Sequence, residues 1–290
     1  MKLSQIYSSD TRRISFEVFP PKPDIPIDTV FDTISGLKKL NPSYISVTYG
    51  AGGSSRGRTV EIASKIKNEY GLEAMAHLTC AGHTKADIDY ILEDLKQKGI
   101  ENILALRGDP PINQPDFDYN KNDFRYAVEL IEYIKSKGDF SIAAAAYPEG
   151  HKDSKSITKD WCYLKEKVDA GVDVLITQLF FDNRIFYHFM EDITKLGIHC
   201  PVIPGIMPIF NSKQIKRIIS LCGSSMPGEL LIMLDKYGDS QEDLRKAGID
   251  YAIRQIQDLL DHGVLGIHLE PMNRPALAEE IIKGLNYKFN

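Results

Sequence analysis

Glu73–Asp109 reads EAMAHLTCAGHTKADIDYILEDLKQKGIENILALRGD: an apolar run, an amphipathic stretch, then a second apolar run. In the middle, Thr84 and Asp87 form a capping pattern. Ile88, Ile91, Leu92 and Leu95 recur at helical spacing, and Gly99 closes the stretch. The flanking runs, Glu73–Cys80 and Asn102–Asp109, are nearly apolar and, the leading Glu73 aside, turn polar or ionisable only toward their downstream ends. Strict alternation, the mark of a half-exposed antiparallel strand, is missing. Such runs predict parallel strands covered on both faces, joined by a right-handed helical crossover.

The unit recurs along the chain. Ile14–Phe19, Tyr44–Tyr49, Ser141–Tyr147, Val174–Phe181, Val202–Ile209 and Leu265–Asn273 have the same form. Taken with the first two, these runs carry at their ends Glu17, Thr48, His77, Arg107 with Asp109, Tyr147, Gln178, and Glu270 followed by Arg274. A polar group placed last on a buried strand belongs to a rim. Eight such rims predict an α/β fold, a (β/α)8 TIM barrel, with an open doubly wound sheet as the runner-up. Amphipathic faces over Ile27–Leu40, Arg58–Tyr70 and a stretch capped by Asn122 and ended by Gly138 supply crossover helices. Pro227–Lys236 and the long Gln241–His262 are extra C-terminal helices, and Arg274–Leu285 is the closing one. Pro110–Lys121 and Pro148–Ile157 are long polar connections on the face where barrel active sites form.

Bulk composition narrows the function. A barrel takes about 250 residues, so the 290 residues are expected to form a single catalytic domain, 1–290. A net charge of -5 and a pI near 5.8 speak against a nucleic-acid partner. Cys80, Cys162, Cys200 and Cys222 show no CxxC spacing, so neither a metal site nor a disulfide framework is expected. Met1–Arg13 has no apolar core of a secretory signal, and no apolar run is long enough for a bilayer. A soluble, cytoplasmic protein is expected.

The residues at the strand ends carry the chemistry. Glu17 sits in FEVFPP; a carboxylate among bulky apolar groups is costly to bury, and burial raises its pKa towards that of a general acid. The alternative is a structural salt bridge at the mouth. In LRGDPP, Gly108 lets the backbone approach a ligand, and Arg107 could hold a phosphate through its planar fork. Arg107 and Asp109 are i, i+2, so they could also simply pair with each other. Gly50–Ser55 looks like a phosphate-cradling turn but matches neither the dinucleotide fingerprint nor the P-loop. His77 reads equally well as a ligand or a satisfied core residue. His151 and Lys167 could add positive charge for a pyrophosphate. Gln178, a neutral amide in an apolar strand, must find hydrogen-bond partners: a flat heterocycle, or Thr177 and the backbone.

In order along the chain, FEVFPPK (Phe16–Lys22), SVTYGAGGSSRGRT (Ser46–Thr59), AHLTC (Ala76–Cys80), LRGDPP (Leu106–Pro111), AAYPEGH (Ala145–His151), KVDAGVDVLITQLFFD (Lys167–Asp182) and PGIMPI (Pro204–Ile209) resemble methylenetetrahydrofolate reductases of the bacterial, single-barrel type. The likeness continues to Asn273-Arg274 and so covers almost the whole chain. It implies a flavin-dependent barrel that reduces 5,10-methylenetetrahydrofolate to 5-methyltetrahydrofolate, with electrons from NADH or NADPH in a ping-pong scheme. By position, Glu17 would be the general acid. Asp109 would meet both flavin and pterin, stabilise the 5-iminium cation and tune the flavin, facing Glu17 from a neighbouring stave. Flavin contacts, to FAD or alternatively FMN, would be Thr48, Tyr49, Ala51, His77, Arg107, Gly108, Asp109, Ala127, Tyr147, His151, Asp160 and Lys167. Folate contacts would be Glu17, Asp109, Gln178, Gln214 and Arg274.

The chain departs from the family pattern at Glu166, where a basic residue is common before Lys167, and also at Tyr163 and Ile218. It departs again at Glu270, where a tyrosine is common. Two other functions compete with the reductase: a folate-binding electron-transfer subunit of a larger complex, and a flavin-free, pterin-binding methyltransferase barrel. Homo-oligomerisation or a partner electron-transfer subunit remains open.

Overall fold

The structure, a computed structural model, describes residues 1–22, 24–49, 56–110 and 116–289. After a short helix α1 (Leu3–Ile6), strand and helix alternate: β1 (Arg13–Val18), α2 (Asp28–Lys38), β2 (Tyr44–Val47), α3 (Arg56–Asn68), β3 (Ala74–Thr79), α4 (Lys85–Gln97), β4 (Asn102–Leu106) and α5 (Ala127–Lys137). The pattern continues through β5 (Ser141–Ala146), α6 (Ile157–Asp169), β6 (Val174–Thr177), α7 (Asn183–Lys195), β7 (Val202–Ile203), β8 (Gly205–Ile206) and α8 (Ser212–Cys222). It ends with α9 (Gly228–Tyr237), α10 (Gln241–Asp261), β9 (Gly266–Leu269) and α11 (Pro275–Gly284).

All pairings are parallel, in the order β7-β6-β5-β4-β3-β2-β1-β9-β8. β7 and β8 are the two halves of one stave, parted by Pro204. The first half pairs with β6 and the second with β9, which closes the expected barrel. Pro204 has no N–H to give, but its carbonyl accepts from His268 N at 2.9 Å. The next donor, Gly205 N, goes to the Thr177 hydroxyl at 2.9 Å. A Cβ at Gly205 would lie 2.5 Å from the Thr177 carbonyl oxygen, so only glycine lets the two staves approach here.

The expected capping box holds: Thr84 Oγ1 accepts from Asp87 N at 3.2 Å, and Thr84 N donates to Asp87 Oδ2 at 3.0 Å. Asn122 does not cap α5. That helix begins after Tyr126, and Asn122 follows the single turn Tyr119–Lys121. The expected C-terminal helices are present as α9, α10 and α11. The strands stop earlier than expected, β4 at Leu106 and β6 at Thr177, so several of the predicted rim residues lie just past a strand end.

The main core fills the space between sheet and helices, with Ile34, Ile62, Leu92, Ile134 and Phe189 among its fully buried members. A second cluster fills the barrel's interior, where Tyr44, Met75, Leu104, Ala143, Val174 and Ile203 meet Leu3, Ile6 and Tyr7. Helix α1 thus plugs the N-terminal mouth, pinned by Leu3 N donating to Asn102 Oδ1 at 2.9 Å. Each such buried side chain contributes about 1.5–3 kcal/mol by leaving water. With that mouth closed, ligands have access only at the C-terminal one. No helix among the described residues is long and apolar enough to cross a membrane.

Candidate active site

Because every strand runs the same way, all strand C-termini open on one mouth, and Glu17 and Asp109 share it. They are not on neighbouring staves, however, because β2 and β3 stand between β1 and β4. Glu17 is buried on β1, whereas Asp109 is exposed just past β4.

Around Glu17 the inward-facing side chains of four adjacent staves form a buried polar layer. Glu17 Oε2 lies 3.4 Å from His77 Nε2 on β3 and 3.6 Å from His268 Nε2 on β9, and accepts from the Ser46 hydroxyl on β2 at 3.5 Å. His268 is held by Ser15 Oγ on Nδ1 at 2.8 Å and by Ser46 Oγ on Nε2 at 3.2 Å. Its ring stacks on Tyr44, centroids 5.9 Å apart. Burial disfavours every charge in this layer. It raises the Glu17 carboxyl from the usual range to about 8, and pushes His77 down to about 3 and His268 to about 4. Glu270, just past β9, is raised as well, by burial and then by the charge of Glu17. At neutral pH the layer is a protonated acid between two neutral imidazoles, the reverse of the salt bridge considered from sequence. His77 Nε2 has no hydrogen-bond partner.

The opposite sector is cationic. Arg107 does not pair with Asp109: the strand has already ended, and its guanidinium reaches Asp153 at 3.0 Å and covers the Tyr119 ring at 4.8 Å. Gly108 takes φ +80°, and a Cβ there would meet Thr79 Cβ at 2.7 Å, so glycine is required both by conformation and by space. Its carbonyl accepts from Tyr119 OH at 2.8 Å. The Tyr147 and His151 rings meet edge-on at 4.8 Å, and His151 N donates to Asp160 Oδ2 at 3.2 Å. Lys167, on α6, points its ammonium at the Ala145 carbonyl, 2.6 Å away, and burial lowers it to about 8. Asp160 is raised by burial, and His151 is lowered by burial and by Arg107. Ala127 is the first residue of α5. Glu166 is exposed.

The remaining predicted residues flank these two sectors. Thr48 N donates to Val18 O at 3.1 Å, and Tyr49 OH meets His83 Nε2 at 2.9 Å. Gln178 follows β6, and its Oε1 accepts from Leu179 N at 2.8 Å. Thr177 is not its partner. Gln214, on α8, keeps a buried Oε1 without a partner. Arg274 is exposed and stacks on Phe210 at 4.2 Å. Ala51 and the rest of the turn Gly50–Ser55 lie outside the described residues. Sequence reasoning missed His268, Ser15 and Ser46, and it read Glu270 as a rim residue and a departure from the family pattern without giving it a role at the site. The signal was there in part, since Ser15 and Glu17, like His268 and Glu270, are i, i+2 on strands and share a face.

The model of the methylenetetrahydrofolate reductase family matches residues 2–286. The chain is 39% identical over 295 residues to methylenetetrahydrofolate reductase (NADH) 1 of Arabidopsis thaliana, covering 98% of this chain and 50% of that one. It is 36% identical over 277 residues to the 5,10-methylenetetrahydrofolate reductase of Escherichia coli strain K12, covering 95% and 91%. The chain thus spans about half the length of the plant relative and nearly all of the bacterial one. Among solved structures, a Clostridium thermocellum protein described as binding two copies of 5-methyl-5,6,7,8-tetrahydrofolic acid superposes with a TM-score of 0.67. It is 13% identical, covering 98% of this chain and 97% of that one, a likeness of fold.

Proposed function

The chain belongs to the methylenetetrahydrofolate reductase family, and on that premise we propose that it reduces 5,10-methylenetetrahydrofolate to 5-methyltetrahydrofolate with electrons from NADH or NADPH, through a bound flavin. The observation that carries the reading is Glu17, a buried carboxyl raised to about 8 and set 3.4 Å from an imidazole nitrogen without a hydrogen-bond partner. The residues suit FAD. Arg107 and Lys167 gather positive charge on one sector for a pyrophosphate, with His151 as a neutral imidazole and Tyr147 beside them. The unpartnered His77 Nε2 offers a polar edge to the ring system. When bound, such a flavin would supply the hydride chemistry that links nicotinamide oxidation to folate reduction.

The protein's own part is protonation and charge. Glu17 gives its proton to a nitrogen of the methylene bridge, opening it to the 5-iminium cation; the C–N bond breaks and its electron pair takes the proton. The surrounding neutral imidazoles and apolar staves exclude water, so the proton goes to substrate. Asp109, exposed on the same mouth, places a carboxylate where the cation develops and favours it electrostatically. Gln178, Gln214 and Arg274 supply amide and guanidinium contacts to pterin and glutamate portions. Gln214 Oε1 is a buried acceptor still lacking a donor.

The test is the visible spectrum of the purified protein. A bound flavin should bleach anaerobically with NADH or NADPH and regain its colour on adding methylenetetrahydrofolate. A colourless protein that binds folate, or a coloured one indifferent to nicotinamides, overturns the reading.

A further inference from the structure

Glu17 is not the only acid at its rung. The β1–β9 ladder ends at Phe16 opposite Leu269, and Glu17 and Glu270 each follow one residue on, where Glu270 N still donates to Ile206 O at 2.8 Å. Inward-facing residues alternate on both staves, and Glu270 lies two residues from inward-facing His268 just as Glu17 lies two from Ser15, so the two carboxyls share the inner face. Among the described residues, the groups that face the pair are uncharged at neutral pH: Tyr44 and Ser46 from β2, His77 from β3, Ser15 and His268 from the two staves, and Cys222 from α8, behind which Lys152 acts weakly on the thiol. Burial, then the charge of Glu270, raises that thiol to about 11. Arg274, four residues on, turns to Phe210 instead. Two carboxylates without a counter-cation cannot both ionise here, because like charges in a poorly solvated site repel strongly.

We propose that Glu270 is a positioning residue for the acid step, a second carboxyl that shares protons with Glu17 across the β1–β9 seam and restores the acid after each turnover. This deepens the reductase reading and rests on it. Once Glu17 has given its proton to substrate, the Glu270 O–H breaks, its proton moves to the Glu17 carboxylate, and Glu270 becomes the carboxylate. Glu270 is half-buried where Glu17 is buried, so it is the member that regains a proton from water at the mouth.

The experiment is a 13C NMR pH titration of the holoprotein with carboxyl-labelled glutamate, run on wild type, Glu270→Gln, Glu270→Asp and, for assignment, Glu17→Gln. The pH profile of the folate half-reaction is measured alongside. In wild type, Glu17 should titrate in two steps. Glu270→Gln should leave one step, completed about one pH unit lower, and the alkaline limb of folate reduction should move with it. Glu270→Asp should restore the two-step curve. A one-step Glu17 curve in wild type, or a curve unchanged in Glu270→Gln, overturns the proposal. Failure of the reductase reading shows separately, as absent flavin colour and folate turnover, while the NMR curves still decide whether the carboxyls share protons.

Discussion

Glu17 Oε2 stands 3.4 Å from His77 Nε2, yet the contact is not an ion pair, because the same burial that keeps the acid protonated keeps the imidazole neutral. The acid therefore has a proton to give at neutral pH and no cation holding it as carboxylate. Glu17→Gln keeps the shape of the side chain and removes that proton. Flavin reduction by nicotinamide should stay within about two-fold of wild type, while folate reduction should fall by about 10²- to 10⁴-fold. Stopped-flow measurement of the two half-reactions separates them; equal losses in both would argue against the acid role.

Asp109 occupies a more open position, with two staves between its own and that of the acid. Under the proposed function, replacing it by Asn would remove a negative charge that faces both flavin and folate. The flavin potential should rise, and folate reduction should slow by about 10- to 100-fold, the range of a charged group worth about 1.5–3 kcal/mol. A spectroelectrochemical titration and the folate half-reaction read these two effects. If neither moves, Asp109 lies outside the site.

Stability should carry the same protonation pattern. The Glu17 carboxyl holds its proton to about 8 when folded, whereas its ordinary value is 4.5, so between these values the native state binds the extra proton and stability falls as pH rises. His77 and His268 act the other way. Their ordinary value of 6.5 drops to about 3 and about 4, so the unfolded chain binds more protons there and stability rises with pH up to 6.5. The effects oppose below pH 6.5; above it the carboxyls dominate, opposed only weakly by Lys167, whose ammonium burial lowers to about 8. Wild type should lose about 2 kcal/mol of unfolding free energy per titrating carboxyl between pH 6.5 and 8, and Glu17→Gln should lose less. Urea unfolding curves across this range provide the check. A flat wild-type profile would contradict the buried acid.

The barrel was legible because a doubly covered parallel strand leaves a plain trace: Ile142–Ala146 and Val174–Ile176 are apolar on both faces, and a polar or ionisable group closes most of the buried runs. Helices were legible where a cap and a stripe agreed, as at Thr84 with Ile88 and Leu92. Asn122 looked like a cap but serves a separate turn, because a lone Asn does not say which helix start it belongs to. Pairings across the fold were not legible. Nothing local to Arg107 shows that Asp153, on the next loop, takes it from Asp109. Nor does IHLE, read alone, show that His268 will be bridged by hydroxyls from two other staves. The plug made by α1 left no periodic trace, because four residues are too few to show one.

The lysine and arginine of the cationic sector make different predictions for flavin binding. Lys167 is held against the Ala145 carbonyl with its charge depressed by burial, so a bound pyrophosphate would restore its ordinary ammonium character. Lys167→Met keeps the stem and removes the charge. Flavin affinity should weaken about 10- to 100-fold, the range of one lost charge-assisted hydrogen bond. Arg107→Lys keeps the charge but loses the fork, and with it the stacking on Tyr119, so a smaller weakening is expected. Fluorescence titration of the apoprotein with FAD gives both numbers, and unchanged affinity in Lys167→Met would move the pyrophosphate away from α6.

The long helix α10 comes closest to the barrel's backbone at Gly248. A Cβ on Gly248 would lie 1.7 Å from the Ile209 carbonyl oxygen, an approach that only a bare Cα permits. Ile209 follows β8 and belongs, with Met207, Ile215 and Leu244, to the small core that joins the C-terminal helices to the mouth. Alanine at 248 must push α10 off this contact, so Gly248→Ala should cost more than the ordinary about 1–3 kcal/mol of overpacking. Gly57, near the start of α3, has nothing within 4 Å of its Cβ position and serves as the control. Gly57→Ala should leave stability unchanged or raise it by about 0.5 kcal/mol through helix propensity. Urea unfolding of both variants decides the matter; equal stabilities would mean that α10 is not clamped at Gly248. Because Gln214 on α8 reaches Met207 of the same core with its Nε2, the Gly248 variant should also weaken folate binding while flavin affinity stays at the wild-type level.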